Sequence, residues 1–225
     1  MTTKIQNKTP WETKLIEKIY DVINYSFPKI EKKALDQFKR ENAKEISLIK
    51  TNRDFYRGFQ AWFLLEYLIE DKFTPMEFIL GNPASYFNKS ELKMITNFLD
   101  DKKGWYELVH ISKNNKDFTI KNIINSKIII VKTIDFPAKL KKGEYIYARP
   151  VQKLKGGYFF YGNVFCYSKE EGENIKMALL KELKHLKDLD EENTLKKEEL
   201  NEYDIKIKVA DNPEDGKVDI KRIRK

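Results

Sequence analysis

Apolar residues recur at helical spacing through the first hundred residues and then mostly at every second position, so the chain is predicted to change from helices to strands near Gly104. Thr9-Pro10-Trp11-Glu12 is a capping box with proline at the first helical position. Trp11, Leu15, Ile16, Ile19 and Ile23 form one apolar face, and Phe27-Pro28 ends or kinks that helix. Ile30, Leu35, Phe38, Ile46 and Ile49 predict a second helix over Lys29 to Lys50. Phe55, Phe59, Trp62, Phe63 and Tyr67, widened by Leu64, Leu65, Leu68 and Ile69, predict a third from Asp54 to Glu70, apolar enough to be buried on several sides. Thr74-Pro75-Met76-Glu77 opens a short helix that stops at Gly81-Asn82-Pro83. Asn88-Lys89-Ser90-Glu91 caps another, with Leu92, Ile95, Phe98 and Leu99 inward and Gly104 as its stop.

Beyond Gly104, strands are predicted at Trp105 to Ile111, Phe118 to Ile124, Lys127 to Lys132, Tyr145 to Leu154 across Pro150, and Tyr158 to Tyr167. Ile128-Ile129-Ile130-Val131 reads as a buried strand because the run is continuous. Lys155-Gly156-Gly157 is a hairpin turn. Some five strands in about 60 residues suggest a small antiparallel barrel, OB-like or similar, since closure hides sheet edges. Ser168-Lys169-Glu170-Glu171 then caps a helix carrying Ile175, Leu179, Leu183 and Leu186. Tyr203 to Val209 alternates and suits an edge strand, and Asp211 to Lys225 reads as a mobile tail. The expected fold class is α+β: a helical region over 1–104, the small barrel plus C-terminal helix over 105–187, and a charged, partly mobile tail over 188–225.

Composition narrows the function classes. The chain has 225 residues, 13% of them aromatic, which speaks against a disordered protein. A lone Cys excludes a disulfide framework and a cysteine-based zinc site. No apolar run approaches the roughly 20 residues of a membrane span, and the start has no apolar signal region, so a soluble, cytoplasmic protein is expected. The net charge of +8 raises the prior for a polyanion partner. Only Arg40, Arg53, Arg57, Arg149, Arg222 and Arg224 are arginine, however, and arginine is the better residue for forked phosphate and guanine contacts. A solvated lysine-rich surface is the competing reading.

No catalytic signature stands out. Lys155-Gly156-Gly157 precedes a strand rather than a helix and lacks phosphate-loop spacing, and no Gly-x-Ser-x-Gly occurs. His110 and His185 have no second histidine nearby and read as structural or exposed. Cys166, between Phe165 and Tyr167, reads as a buried apolar thiol. Asp100-Asp101 and Glu170-Glu171 sit at helix ends, and carboxylates at a helix start need no metal. No cofactor and no metal site are expected.

The barrel offers the most informative surface. Tyr145, Tyr147 and Arg149 share one strand face, opposite Ile146 and Ala148. Tyr158 and Phe160 alternate with Phe159 and Tyr161 on the last strand. Set beside Lys141, Lys142, Lys153 and Lys155, outward-facing rings at Tyr145, Tyr147, Tyr158 and Phe160, with Arg149, would suit single-stranded nucleic acid by base stacking and phosphate attraction. The alternative is that these rings pack against the helical half, because a two-part chain must bury an interface.

The order Trp62-Phe63-Leu64-Leu65-Glu66-Tyr67, Thr74-Pro75-Met76-Glu77-Phe78, the Ser90-Glu91 helix, Trp105-Tyr106-Glu107-Leu108, Lys142-Gly143-Glu144-Tyr145-Ile146-Tyr147-Ala148-Arg149 and Gly157-Tyr158 resembles the non-metal region of bacterial proteins that carry a SEC-C zinc motif. It covers about Asn52 to Leu186 and implies a helical region whose Trp-containing helix leads into a small β module with a Lys-Gly-Asp/Glu turn. The compact Cys cluster of that motif is absent, so no zinc ligand carries over.

The first functional expectation is therefore a non-enzymatic nucleic-acid-binding or accessory protein. A protein-interaction or regulatory module in a larger assembly is the alternative, motivated by the amphipathic helix after Ser168 and the expected mobile tail. A metal-dependent enzyme with scattered ligands is the third. Expected partners are single-stranded nucleic acid or a protein, and no membrane.

Overall fold

The computed structural model describes residues 11–82, 86–112, 117–132, 140–193, 203–209 and 218–224; the capping residues Thr9 and Pro10 lie outside them. The chain is α+β and divides into two compact units. One comprises Met1–Gly104, Ile130–Asp135 and Ala148–Val164; the other comprises Trp105–Ile129, Phe136–Tyr147 and Phe165–Lys225.

In the first unit, α1 (Trp11–Ser26) buries Leu15, Ile16, Ile19 and Ile23, the stripe its spacing predicts. Trp11 is left 41% exposed, so the stripe begins one turn later than expected. The predicted second helix is two: α2 (Ile30–Glu41) and α3 (Ala43–Ser47), broken at Asn42. There the backbone N–H and the Nδ2 of Asn42 both donate to the Phe38 carbonyl, at 2.9 and 3.2 Å. Asn competes with the helix by bonding its own backbone, which apolar spacing alone does not report.

Helix α4 (Asn52–Leu65) is capped by Thr51, whose hydroxyl accepts the Asp54 N–H. It ends before the predicted Glu70, because the Glu66 and Tyr67 N–H groups both turn back to the Trp62 carbonyl. Helices α5 (Pro75–Gly81) and α6 (Lys89–Asp100) both open with complete capping boxes, at Thr74/Glu77 and Asn88/Glu91. Helix α6 stops at Asp101 rather than Gly104. The core gathers Phe38, Phe59, Trp62 and Phe63 with Ile19, Ile23, Met76, Ile95 and Phe98. Lys18 on α1 reaches Glu91 on α6 at 2.8 Å.

The sheet comprises β1 (Gly104–Ile111), β2 (Asp117–Asn122), β3 (Ile128–Lys132), β4 (Tyr145–Gln152) and β5 (Tyr158–Tyr167), in the order β1-β2-β3-β5-β4. β1 and β2 are antiparallel, with a bulge between Leu108 and His110. β3 and β5 are parallel, with Val131 opposite Tyr158, so the sheet is mixed where an antiparallel one was expected. β3 also departs from its predicted burial: Ile129 and Val131 are buried, whereas Ile128 and Ile130 are exposed.

In the second unit, α7 (Lys169–Asn193) starts with reciprocal bonds between Ser168 and Glu171. Its Ile175 and Leu179 pack with Trp105, Ile123 and Tyr145. The segment after Asp211, expected as tail, contains β7 (Val218–Arg224), paired antiparallel with β6 (Tyr203–Val209) over seven residues from Tyr203/Arg224 to Val209/Val218.

Candidate nucleic-acid interface

The strand that was to present rings to solvent has both faces covered. Tyr145 is fully buried, with the α-carbon of Gly172 against its ring. Its hydroxyl donates to Glu173 at 2.5 Å, and the Lys176 ammonium lies 3.5 Å away. Burial first, then this bond to a carboxylate, push the Tyr145 hydroxyl well above the usual tyrosine range. Tyr147 is half-buried against Trp105, with ring centroids 4.9 Å apart. Arg149 is only 7% exposed; it donates to Glu66 Oε1 at 2.8 Å and to the Asp101 carbonyl at 3.1 Å. Tyr145 and Arg149 are thus interior groups, which corrects their expected place on an outward face. Period two sorts residues into two sides; it does not say which side is wet.

The last strand behaves similarly. Tyr158 is in register with buried Val131 and is half-buried, as is Phe160. Phe159 and Tyr161 pack on Phe98 of α6, at 5.9 and 4.7 Å between centroids, so the alternative of rings lying against the helical region holds for these two. Lys141 and Lys142 are exposed in the turn before β4, where Gly143 has φ of 87°.

Exposed groups gather instead at the end of the first unit where β3 meets the β4–β5 hairpin. The hairpin is closed by the Lys153 N–H to the Gly157 carbonyl at 2.9 Å and the Gly156 N–H to the Lys153 carbonyl at 3.2 Å. Gly156 and Gly157 have φ of 84° and 76°, left-handed values that favour glycine. This turn leaves Leu154 and Lys155 exposed at its tip. The aliphatic stem of Lys132 runs beside Gly157, close enough that a methyl group there would touch its Cδ. Ile130, two residues earlier on the same outward side, is 51% exposed. Lys153 holds its ammonium 5.7 Å from the centroid of the Phe159 ring. Of these residues, sequence reasoning singled out Lys153 and Lys155. It missed Ile130 and Lys132, because an exposed isoleucine between two buried residues looks like part of a buried run. The available signal was the strand period itself, with Lys132 continuing the positions of Ile128 and Ile130.

The same unit has a cavity of about 30 Å³ lined by Glu45, Glu66, Lys103, Arg149, Tyr161 and Asn163 among others. Space of this size holds one or two waters rather than a substrate. Its cations are paired in place, Arg149 with Glu66 and Lys103 with Glu45 at 2.9 Å. Gly58 and Gly162 bring α4 and β5 close: a Cβ at Gly58 would meet the Asn163 amide at 2.5 Å, and one at Gly162 would meet Ala61 at 2.7 Å. The Tyr161 hydroxyl is buried with no hydrogen-bond partner, and burial raises its pKa far above the usual value.

Cys166 is exposed, contrary to its expected burial, because its position on β5 alternates with the inward Tyr167 that packs on Trp105. His110 and His185 are exposed. Among the described residues no group of three or more His, Cys, Asp or Glu is placed to hold a metal ion, and no helix is long and apolar enough to cross a membrane. No family model, curated protein or solved structure matches the chain.

Proposed function

We propose that this chain is a non-enzymatic, single-stranded nucleic-acid-binding or accessory protein whose five-stranded sheet is an OB-like barrel. The placement of β5 between β3 and β4 supports the barrel reading. So do the bonds from the Leu108 N–H to the Glu144 carbonyl and from the Gly143 N–H to the Leu108 carbonyl, both 2.8 Å, which bring the start of β4 beside β1. In OB barrels the face of the second and third strands and the loop between the fourth and fifth take oligonucleotides. The observation that carries the function is that Ile130 and Lys132 are exposed on the strand that runs beside Gly157 of the β4–β5 hairpin, and Leu154 and Lys155 are exposed at the tip of the same hairpin. Apolar groups meet base faces and ammonium ions meet phosphates.

The test is a titration of labelled single-stranded and duplex oligonucleotides at several salt concentrations. Binding on the order of micromolar at low salt, weakening steeply as salt rises, is expected. In Lys132→Glu/Lys155→Glu the salt slope for single strands should fall by about 1.4, two phosphates at roughly 0.7 each. Absence of binding at low salt refutes the reading.

A second reading rests on α7, which exposes Met177 and Leu180 one turn apart while Ile175 and Leu179 face inward. An exposed apolar pair of this kind suits a protein partner in a larger assembly. Recovery of a stoichiometric partner that is lost on Met177→Glu would favour this over nucleic-acid binding.

A further inference from the structure

We infer that the strip formed by β3 and the β4–β5 hairpin is a base-neutral, short-footprint platform: Phe159 stacks one base, Lys132, Lys153 and Lys155 hold about three phosphates, and Lys153 covers the Phe159 ring until a strand displaces it. This rests on the nucleic-acid reading above.

Base neutrality follows from the chemistry of the side chains. The strip consists of Ile130, Lys132, Lys153, Leu154, Lys155 and Phe159. Ammonium ions are point donors without the fork that reads a base edge. Arg149, the sheet's own guanidinium in this unit, is spent on Glu66 and the Asp101 carbonyl. A ring and aliphatic groups contact any base by its face, which every base possesses. Duplexes hide those faces in their stack, so the platform gains nothing from them beyond phosphate attraction.

The covering role of Lys153 follows from its position. Its ammonium sits 5.7 Å from the Phe159 centroid, and the same ring, packed against the helical core, meets Phe98 edge to face at 5.9 Å. A stacking base must take the place of the ammonium. Lys153 and Phe159 are both half-buried; a base stack is worth at least as much as their cation–π contact, and the freed ammonium is then near the phosphate that follows the base. Lys153 therefore loses one partner as it gains another, whereas Lys132 and Lys155, which have no ion-pair partner among the described residues, only gain.

Fluorescence anisotropy with oligo-dT, oligo-dA and mixed single strands of equal length tests this on the full chain. Expected are affinities alike within roughly threefold across the three, far under the discrimination a base-edge contact gives. The logarithm of affinity should fall against that of salt with slope about −2, three phosphates at roughly 0.7. Phe159→Leu, which keeps an apolar group against Phe98, should lose roughly tenfold on every sequence with the slope unchanged. Lys153→Ala and Lys155→Ala should each flatten the slope by about 0.7, with Lys153→Ala losing less affinity. Thermal unfolding of each variant confirms that it is folded, and the two surface lysine variants decide the matter if Phe159→Leu is not.

The outcomes separate the two levels. No binding at low salt ends the nucleic-acid reading itself. Binding with a preference of tenfold or more for one sequence, a slope near −4, or a greater loss for Lys153→Ala than for Lys155→Ala leaves that reading standing and overturns this inference.

Discussion

Replacing Gly172 by alanine sets two effects of opposite sign against each other. Gly172 is the fourth residue of α7, and in an exposed helix interior the change would add about 1 kcal/mol of stability. Here the added methyl would fall inside the ring of Tyr145, overlapping its Cγ and Cδ2. Non-bonded carbons need about 3.5–4 Å, so either the ring or the helix must move. The ring has little freedom: it is fully buried among Trp105, Ile123, Ile175 and Leu179, and its hydroxyl is tied to Glu173. Overpacking of this kind costs about 3 kcal/mol or more when backbone must shift. Subtracting the helix gain leaves a net loss of about 2 kcal/mol. Urea unfolding reports it through the fluorescence of Trp105, which is buried against Tyr147 and Tyr167. In a Tyr145→Ala background the same change should stabilise by about 1 kcal/mol, because only the helix effect remains. The coupling between the two sites is then about 3 kcal/mol, at the top of the range for residues in contact. A Gly172→Ala protein that unfolds at the same or higher urea than the parent refutes the account of how α7 is seated.

Arg149→Met should destabilise by about 3 kcal/mol, since it leaves the Glu66 carboxylate without its cation in a largely buried site. Glu66→Gln keeps an acceptor but leaves the more deeply buried Arg149 cation without its counter-charge, and should also cost about 3 kcal/mol; a loss below about 1 kcal/mol for Arg149→Met in urea melts would show that the pair does not matter. Stability should also fall with acid in part through Glu91. Burial alone would raise its carboxyl, but the hydrogen bond from Lys18, the Asn88 N–H and the Lys18 charge outweigh it and hold it below the ordinary value of 4.5. A depressed native value means the unfolded chain takes up the proton first. The stabilisation is therefore complete above about 4.5 and is lost as pH drops through the lower native value. Glu91→Gln should flatten that acid limb in melts at stepped pH, and an unchanged limb refutes the assignment.

What could be read in the sequence was local. The boxes at Thr74/Glu77, Asn88/Glu91 and Ser168/Glu171 each involve residues three apart whose side chains bond neighbouring backbone, so no knowledge of the fold is needed to see them. The α1 stripe and the change of period near Gly104 are local in the same sense. Breaks that depend on backbone competition were not visible. Asn42 splits α2 from α3 while the apolar spacing runs on across it, and Leu68 and Ile69 continued a stripe beyond the true end of α4 at Leu65.

The site was hidden for a different reason. A strand's period sorts residues into two sides, but a third element decides which side is dry. β4 has Ile146 and Ala148 buried on one side, and on the other Tyr145 lies beneath Gly172 of α7 and Arg149 is claimed by Glu66. Nothing within the eight residues of β4 encodes that double burial; it depends on a glycine 27 residues after Tyr145 and a glutamate 83 residues before Arg149. β3 shows the converse, two isoleucines left in water where composition alone argues for a core. Leaving branched aliphatic groups exposed on a strand has a cost in hydration, and a partner that covers Ile130 while neutralising Lys132 would remove it. That is the physical reason to test the proposed nucleic-acid ligand on the outer side of β3 and its hairpin rather than on Tyr145 and Tyr147.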